Sequence, residues 1–176
     1  MDNIFIGFIL IFLDFNITIA NVRIDIIPDF VGYIVMIYGL VEMSNKSSRF
    51  MEAKPYAIGM AVYTCILFFI DIFSSSTSLG VSTYIFAFTS TCISIFISYK
   101  IVMGVIDMEE KYNVNLNGNT LKSRWTAFAV INILSFVSLL IPPFSIIFLI
   151  VGVIIFICFL FALYNSKKLY YNTTIG

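Results

Sequence analysis

The chain has 176 residues, of which 60% are hydrophobic and 11% are charged, and its mean hydropathy is +1.01. Soluble domains carry about 25% charged residues, so this composition excludes a soluble fold and indicates that lipid is the surrounding solvent. Ten basic and ten acidic residues argue against a nucleic-acid surface, and the lack of any His removes the commonest metal ligand and general base, so neither a metal site nor a cofactor is expected.

Six apolar segments approach the roughly 20 residues that a helix needs to cross a bilayer. The predicted spans are 4–20, 26–43, 56–73, 79–105, 125–141 and 144–163. The fourth is too long for a perpendicular crossing, so we expect it to tilt, or to leave the membrane near Lys100 and continue along the interface through Lys111. Pro142 and Pro143 separate the last two segments and predict a tight turn.

Basic residues predict the orientation of these segments. They concentrate in the second connection, in the polar stretch 107–124 and in the C-terminal tail, whereas the first connection carries only Arg23. This alternation predicts that both termini are cytoplasmic and that 107–124 is a cytoplasmic loop dividing four helices from two. The predicted fold is therefore an all-α polytopic bundle of six spans, a single integral-membrane domain over 1–176 in a bacterial plasma membrane.

The first span contains Asp14 within an otherwise apolar run. A carboxylate in hydrocarbon costs several kcal/mol, so it normally faces a partner, a cavity or an ion. Pro28 predicts the start of the second helix and places Asp29 in its first turn, where the helix dipole stabilises a carboxylate. Asp71 comes near the end of the third span and is expected on the same outer side of the membrane.

These positions predict a polar cluster on the outer side, called here the outer acidic cluster. Its members are Asp14, Asn16, Arg23, Asp25, Asp29 and Asp71. Carboxylates that share a site of low dielectric constant shift each other's pKa, which suits the binding of protons or cations, with Arg23 as the internal counter-ion. Structural roles are the alternatives: a helix start for Asp29, a turn ion pair for Asp25, an interfacial position for Asp71 and an obligatory ion pair for Asp14.

Small and polar residues follow helical spacing in three of the later segments. Helix 4 carries three serines at four-residue spacing, Ser90, Ser94 and Ser98. Close helix packing is favoured as the explanation of this stripe over a polar conduit. Gly32 and Gly39 share a face with Met36 and predict a packing groove on helix 2. A weaker polar face on helix 5 is formed by Asn132, Ser135 and Ser138.

Two stretches near the start of the chain carry a family resemblance: LDFN at 13–16 and IDIIPDFVGYI at 24–34. Together they resemble the N-terminal signature of a family of small multi-pass membrane proteins of Firmicutes. The resemblance covers the first two predicted spans. It implies residence in the membrane and marks the connection between helices 1 and 2 as the distinctive feature, and it implies no particular activity.

The leading functional hypothesis is a non-enzymatic membrane protein that binds a cation or a small cationic ligand at the outer acidic cluster, in transport, sensing or immunity. An alternative is a structural or regulatory subunit that binds a larger membrane complex, or a second copy of itself, through its apolar faces and the 107–124 loop. Vitamin-uptake substrate-binding subunits have a similar size, but their A-x-x-x-A motif is absent. A membrane enzyme using paired Asp residues ranks last because no general base is evident.

Overall fold

The computed structural model describes residues 1–12, 16–19, 22–25, 28–73, 80–138 and 142–173. Six helices make up most of it: α1 Asp2–Phe12, α2 Asp29–Met43, α3 Ser48–Phe73, α4 Gly80–Tyr112, α5 Gly118–Ser138 and α6 Pro142–Asn172. Between α1 and α2 the chain forms a short antiparallel hairpin of β1 Asn16–Ile19 and β2 Val22–Asp25. The predicted helical class is confirmed, and the hairpin is an addition to it.

The six helices are arranged as a closed ring. Each helix packs against the next one in the chain, and α6 also packs against α1. Aromatic pairs hold the closing contact: the ring centroids of Phe12 and Phe156 are 3.6 Å apart, and those of Phe8 and Phe159 are 5.6 Å apart. Because the ring is closed, the inner faces of the helices surround a common interior.

The prediction of a helix over 4–20 is wrong in its second half. The described part of the helix is Asp2–Phe12, residues 13–15 lie outside the described residues, and strand β1 pairs with β2 so that Asn16 lies opposite Asp25 and Thr18 lies opposite Arg23. The strands contain several β-branched residues, which favour extended backbone. Half of the strand residues are polar or charged, but β1 follows a long apolar run in the sequence and was therefore included in the predicted span. As a result α1 has only 11 residues and is about 16 Å long.

The predicted loop over 107–124 is also wrong, because α4 continues unbroken through Lys100 to Tyr112 and α5 begins at Gly118. Glu109 explains the short connection. Its carboxylate accepts hydrogen bonds from the backbone N–H groups of Leu116, at 2.6 Å, and of Gly118, at 3.0 Å. Asparagines at 113 and 117 adopt positive φ, a conformation that Asn tolerates better than most residues. The connection is therefore a tight turn.

Prolines lie at the start of two helices, and only the start at Pro28 was predicted. The tight turn predicted at Pro142 and Pro143 is wrong, because both residues belong to α6. Pro28 immediately precedes α2 in an extended conformation, and Asp29 occupies the first turn of that helix. Pro142 is the first residue of α6. Both positions suit proline because the first backbone N–H groups of a helix have no partner within the helix.

The two ends of the ring differ in charge. Every Lys and Arg except Arg23 lies toward the end where α2 stops and α3 starts, which we call the basic end. Ion pairs join the helices there: Lys100 Nζ lies 2.6 Å from Glu52, and Lys167 Nζ lies 2.9 Å from Asp2. The hydrogen bond from Lys167 holds the pKa of Asp2 below its usual range. The opposite end, where α2 starts, is the acidic end.

Within the part of the chain that the structure describes, three helices contain stretches long and apolar enough to cross a membrane: Ser48–Ile70, Tyr84–Tyr112 and Ile146–Asn172. Large apolar side chains cover their outer faces, and Ile146, Leu149 and Phe161 are each about two-thirds exposed in the isolated chain. Soluble monomers rarely expose apolar patches of this extent. The chain therefore has the surface of a transmembrane protein.

The closest helix contact in the ring joins α1 to α2 through three glycines. A Cβ on Gly39 would lie 2.6 Å from the backbone nitrogen of Ile4, and one on Gly32 would lie 2.9 Å from that of Ile11. A Cβ on Gly7 would lie 2.8 Å from the carbonyl oxygen of Gly32. Because the obstructing atoms are backbone, they cannot move aside. The predicted packing groove on α2 is confirmed, and α1 fills it.

Replacing Gly39 by Ala should therefore force α1 and α2 apart. We expect Gly39→Ala to lose about 1–3 kcal/mol of stability, the usual cost of overpacking, seen as a lower midpoint of thermal unfolding in detergent. Gly59→Ala is the matched control, since a Cβ there meets nothing within 4 Å and alanine favours helix over glycine. Equal shifts in the two variants would contradict the close contact.

Candidate functional site

The interior of the ring holds a cavity of about 390 Å³, called here the central cavity. Its walls come from α1 to α5 and are mainly apolar, with a small number of polar side chains. The polar groups that matter most are Asp29, Tyr33, Ser94 and Asn132. An apolar wall with a few convergent polar groups is typical of small-molecule sites.

Helix α2 supplies the acidic group and a phenol. Asp29 and Tyr33 are four residues apart, so they lie on the same face of the helix. Tyr33 is only 3% exposed, and its hydroxyl forms a 2.8 Å hydrogen bond with Ser94 Oγ on α4. Since α2 and α4 are separated in the ring by α3, this hydrogen bond joins two helices that are not neighbours.

The three serines of the stripe on α4 have two different roles. Ser98 is fully buried, accepts a 2.9 Å hydrogen bond from Trp125 Nε1 on α5, and donates to the carbonyl of Ile95. Its role is in packing, as predicted for the whole stripe. Ser90 and Ser94 instead line the central cavity. The stripe therefore passes from a packed contact at the basic end to a polar wall in the interior.

Asn132 on α5 brings an amide to the same space. Its side-chain nitrogen donates to the carbonyl of Phe128 at 2.8 Å, which fixes the orientation of the amide. The residue lines the central cavity and also a recess of about 150 Å³ beside it, which reaches Phe12 and Phe156. An amide offers both a donor and an acceptor, so it can bind a ligand of either kind.

The outer acidic cluster is described only in part. Asp29 lines the central cavity. Asp14 lies outside the described residues, and only the backbone is described for the other members, which are Asn16, Arg23, Asp25 and Asp71. The cluster as a whole stays a prediction.

The backbone places several members of this cluster at the same end of the ring. The ring centroids of Phe30 and Phe68 are 5.7 Å apart, so the start of α2 lies beside the end of α3, which carries Asp71. Strand β2, which carries Arg23 and Asp25, is also in contact with α3. All of these positions therefore belong to the acidic end.

Tyr33 is the site residue that sequence reasoning missed. The available signal was a phenol in the middle of a predicted span, because a hydroxyl within lipid needs a hydrogen-bond partner. Nothing in the sequence indicated that this partner is Ser94, since the two residues are 61 positions apart.

Comparisons of the chain with known protein families, with curated proteins and with solved structures give no match. Among the described residues, no group of three or more His, Cys, Asp or Glu side chains is placed to hold a metal ion. The site must therefore be interpreted from its own geometry.

The hydrogen bond between Tyr33 and Ser94 can be tested by a double-mutant cycle. We expect Tyr33→Phe and Ser94→Ala each to cost about 0.5–1.5 kcal/mol of unfolding free energy, and the double variant to cost less than their sum, because either change alone already breaks the bond. Tyr38→Phe is the control: Tyr38 is 68% exposed and its replacement should leave stability unchanged. Strict additivity in the cycle would show that the two hydroxyls do not interact.

Proposed function

We propose that this chain is a multi-pass protein of the bacterial plasma membrane that binds a small cationic ligand in the central cavity, in a transport, sensing or immunity role. The observation that carries the proposal is the position of Asp29, a carboxylate on the wall of a mainly apolar cavity inside a helical ring. Ionisable groups at membrane depth usually serve a ligand or ion pathway.

The ring supports six membrane-embedded helices. The three helices that meet the length and hydropathy requirements are α3, α4 and α6. Helices α1, α2 and α5 pack between them around the ring, so a bilayer surrounding the long helices also surrounds the short ones. The basic end is expected in the cytoplasm, because Lys and Arg flanking membrane spans are retained there. Met1 and the end of α6 belong to that end, where the Met1 amine donates a hydrogen bond to the hydroxyl of Tyr171.

The polar groups of the cavity favour a cation that can donate hydrogen bonds. A carboxylate attracts a positive charge far more strongly in a site of low dielectric constant than in water. The phenol of Tyr33, the hydroxyl of Ser94 and the amide oxygen of Asn132 offer acceptor atoms around the same space. A protonated amine or a partly dehydrated metal cation fits this set, whereas an anion does not.

The orientation can be tested by cysteine labelling in a variant whose native cysteines, Cys65, Cys92 and Cys158, are replaced by Ser. Asn115→Cys, in the turn between α4 and α5, should react with a membrane-impermeant maleimide only from the cytoplasmic face. Ser76→Cys, in the connection between α3 and α4, should react only from the outside. Labelling of both positions from one side would overturn the proposed topology.

The role of Asp29 can be tested by thermal unfolding of the purified protein in nonionic detergent. We expect a cation from a panel of alkali ions, alkaline-earth ions and butylamine to raise the midpoint of the wild type, because a ligand that binds the native state stabilises it by about 2.7 kcal/mol at 100 times its Kd. Asp29→Asn should lose this response.

The matched control is Glu110→Gln, which neutralises an exposed carboxylate at the basic end and should respond like the wild type. An unchanged response in Asp29→Asn would place the ligand elsewhere. If no cation shifts the wild type and a membrane protein co-purifies in fixed proportion, the chain is a subunit of a complex and the proposed ligand-binding role is rejected.

A further inference from the structure

A second space lies between α3 and α4, on the outer surface of the ring. This α3/α4 groove measures about 400 Å³ and is lined by residues that include Tyr56, Gly59, Ile93 and Phe86. Tyr56 and Phe86 are 46% and 57% exposed, so the groove opens toward the surrounding lipid. A Cβ on Gly59 would meet nothing within 4 Å, which leaves the floor of the groove free.

The groove is mainly apolar although four residues with hydroxyl groups line it, namely Tyr56, Tyr63, Thr89 and Ser90. Thr89 donates its hydroxyl to the carbonyl of Ile85, at 2.9 Å, and Ser90 donates to the carbonyl of Ala87, at 2.9 Å. These two hydroxyl protons are thus used within their own helix, so neither residue donates a hydrogen bond into the groove. Such a surface suits a hydrocarbon chain and does not suit a hydrated ion.

One layer of side chains separates the groove from the central cavity. Four residues line both spaces: Met60, Tyr63, Phe86 and Ser90. Phe86 is exposed, and exposed side chains change rotamer within nanoseconds; Met60 is only 3% exposed, but an unbranched methionine adapts its shape readily to its surroundings. This layer can therefore open toward the lipid by side-chain movement while the backbones of α3 and α4 stay in place.

We infer that the ligand is a cationic amphiphile whose head group lies in the central cavity near Asp29 and whose hydrocarbon chain passes between α3 and α4 into the groove. The inference rests on the proposed function, since it assigns the chemical class of the ligand of the same cavity. The observation that supports the inference is that a cavity with polar groups and an apolar groove lie on two sides of one shared wall. Entry is lateral, from the bilayer.

The opposite side of the ring offers a competing route that the geometry disfavours. A groove of about 410 Å³ between α5 and α6 shares Phe128 and Asn132 with the central cavity. Phe128 there stacks on Phe159, with ring planes 11° apart, and also contacts Phe156. This aromatic wall is packed on both sides, whereas the wall at α3/α4 contains a flexible methionine and an exposed phenylalanine.

The test compares three probes in thermal unfolding of the full chain in nonionic detergent: decylamine, butylamine and 1-decanol. Decylamine should stabilise the wild type at a concentration about tenfold or more below that of butylamine, and decanol should have little effect. Gly59→Leu, which fills the groove, should reduce the apparent affinity for decylamine about tenfold and leave the butylamine response intact. Asp29→Asn should lose the response to both amines.

Gly152→Leu is the matched control, because Gly152 lines the α5/α6 groove and a Cβ there also meets nothing within 4 Å. It should bind decylamine like the wild type. If Gly59→Leu fails to fold, Gly59→Ala and Gly59→Val take its place in a graded series. The unfolding midpoint of each variant without probe reports folding directly.

The outcomes separate the two proposals. Equal apparent affinities for decylamine and butylamine, with no effect of Gly59→Leu, overturn the amphiphile and leave the cation site standing. If Gly152→Leu loses decylamine binding and Gly59→Leu does not, the hydrocarbon chain of the ligand lies between α5 and α6, and the inference is overturned. If decanol raises the unfolding midpoint as much as decylamine does, the cationic head group does not contribute to binding and the inference is overturned. No response of the wild type to either amine overturns the inference, and no response to any cation of the earlier panel overturns cation binding as well.

Discussion

Helices α1 and α2 approach each other so closely that three glycines leave no room for a Cβ, and this contact sets the distance between the two helices. α1 has 11 residues and is about 16 Å long, while α6 has 31 residues and is about 46 Å long. The lining of the central cavity includes Ile11, in the last turn of α1, and Asp29, the first residue of α2. The cavity is thus a consequence of two short helices held tightly together among longer ones.

The basic end is packed in a way that lets the interior stay open. Phe50 is fully buried against Gly104, where a Cβ would lie 2.7 Å from its ring, and the Glu109 carboxylate closes the turn into α5. Ser47 donates a 2.6 Å hydrogen bond to Asp107, which ties the connection between α2 and α3 to α4. These contacts join the helices at one end without using any residue that lines the central cavity.

Local signals in the sequence predicted the helical class, the start of α2 at Pro28, the position of Asp29 and the glycine groove, because each depends on residues within one or two helical turns. The hairpin was missed because β1 follows a long apolar run and its β-branched residues suit both a strand and a membrane helix, while β2 lay in the predicted connection between two helices. The cavity was missed for another reason. Its walls meet only through contacts between distant segments, such as Tyr33 with Ser94, and no periodicity encodes which helices face each other across a ring.

For a ligand that enters from the bilayer, the head group and the hydrocarbon chain contribute in different ways. Each methylene moved out of water contributes about 0.8 kcal/mol, but a chain already dissolved in lipid gains almost none of this on entering an apolar groove. The hydrocarbon chain therefore concentrates the ligand in the membrane and determines its path between α3 and α4. Selectivity must come from the cavity. Exchanging the Tyr33–Ser94 hydrogen bond for a hydrogen bond to the ligand changes the free energy little. The Asp29 carboxylate is therefore the group that distinguishes a cationic head group from the neutral and anionic lipids of the membrane.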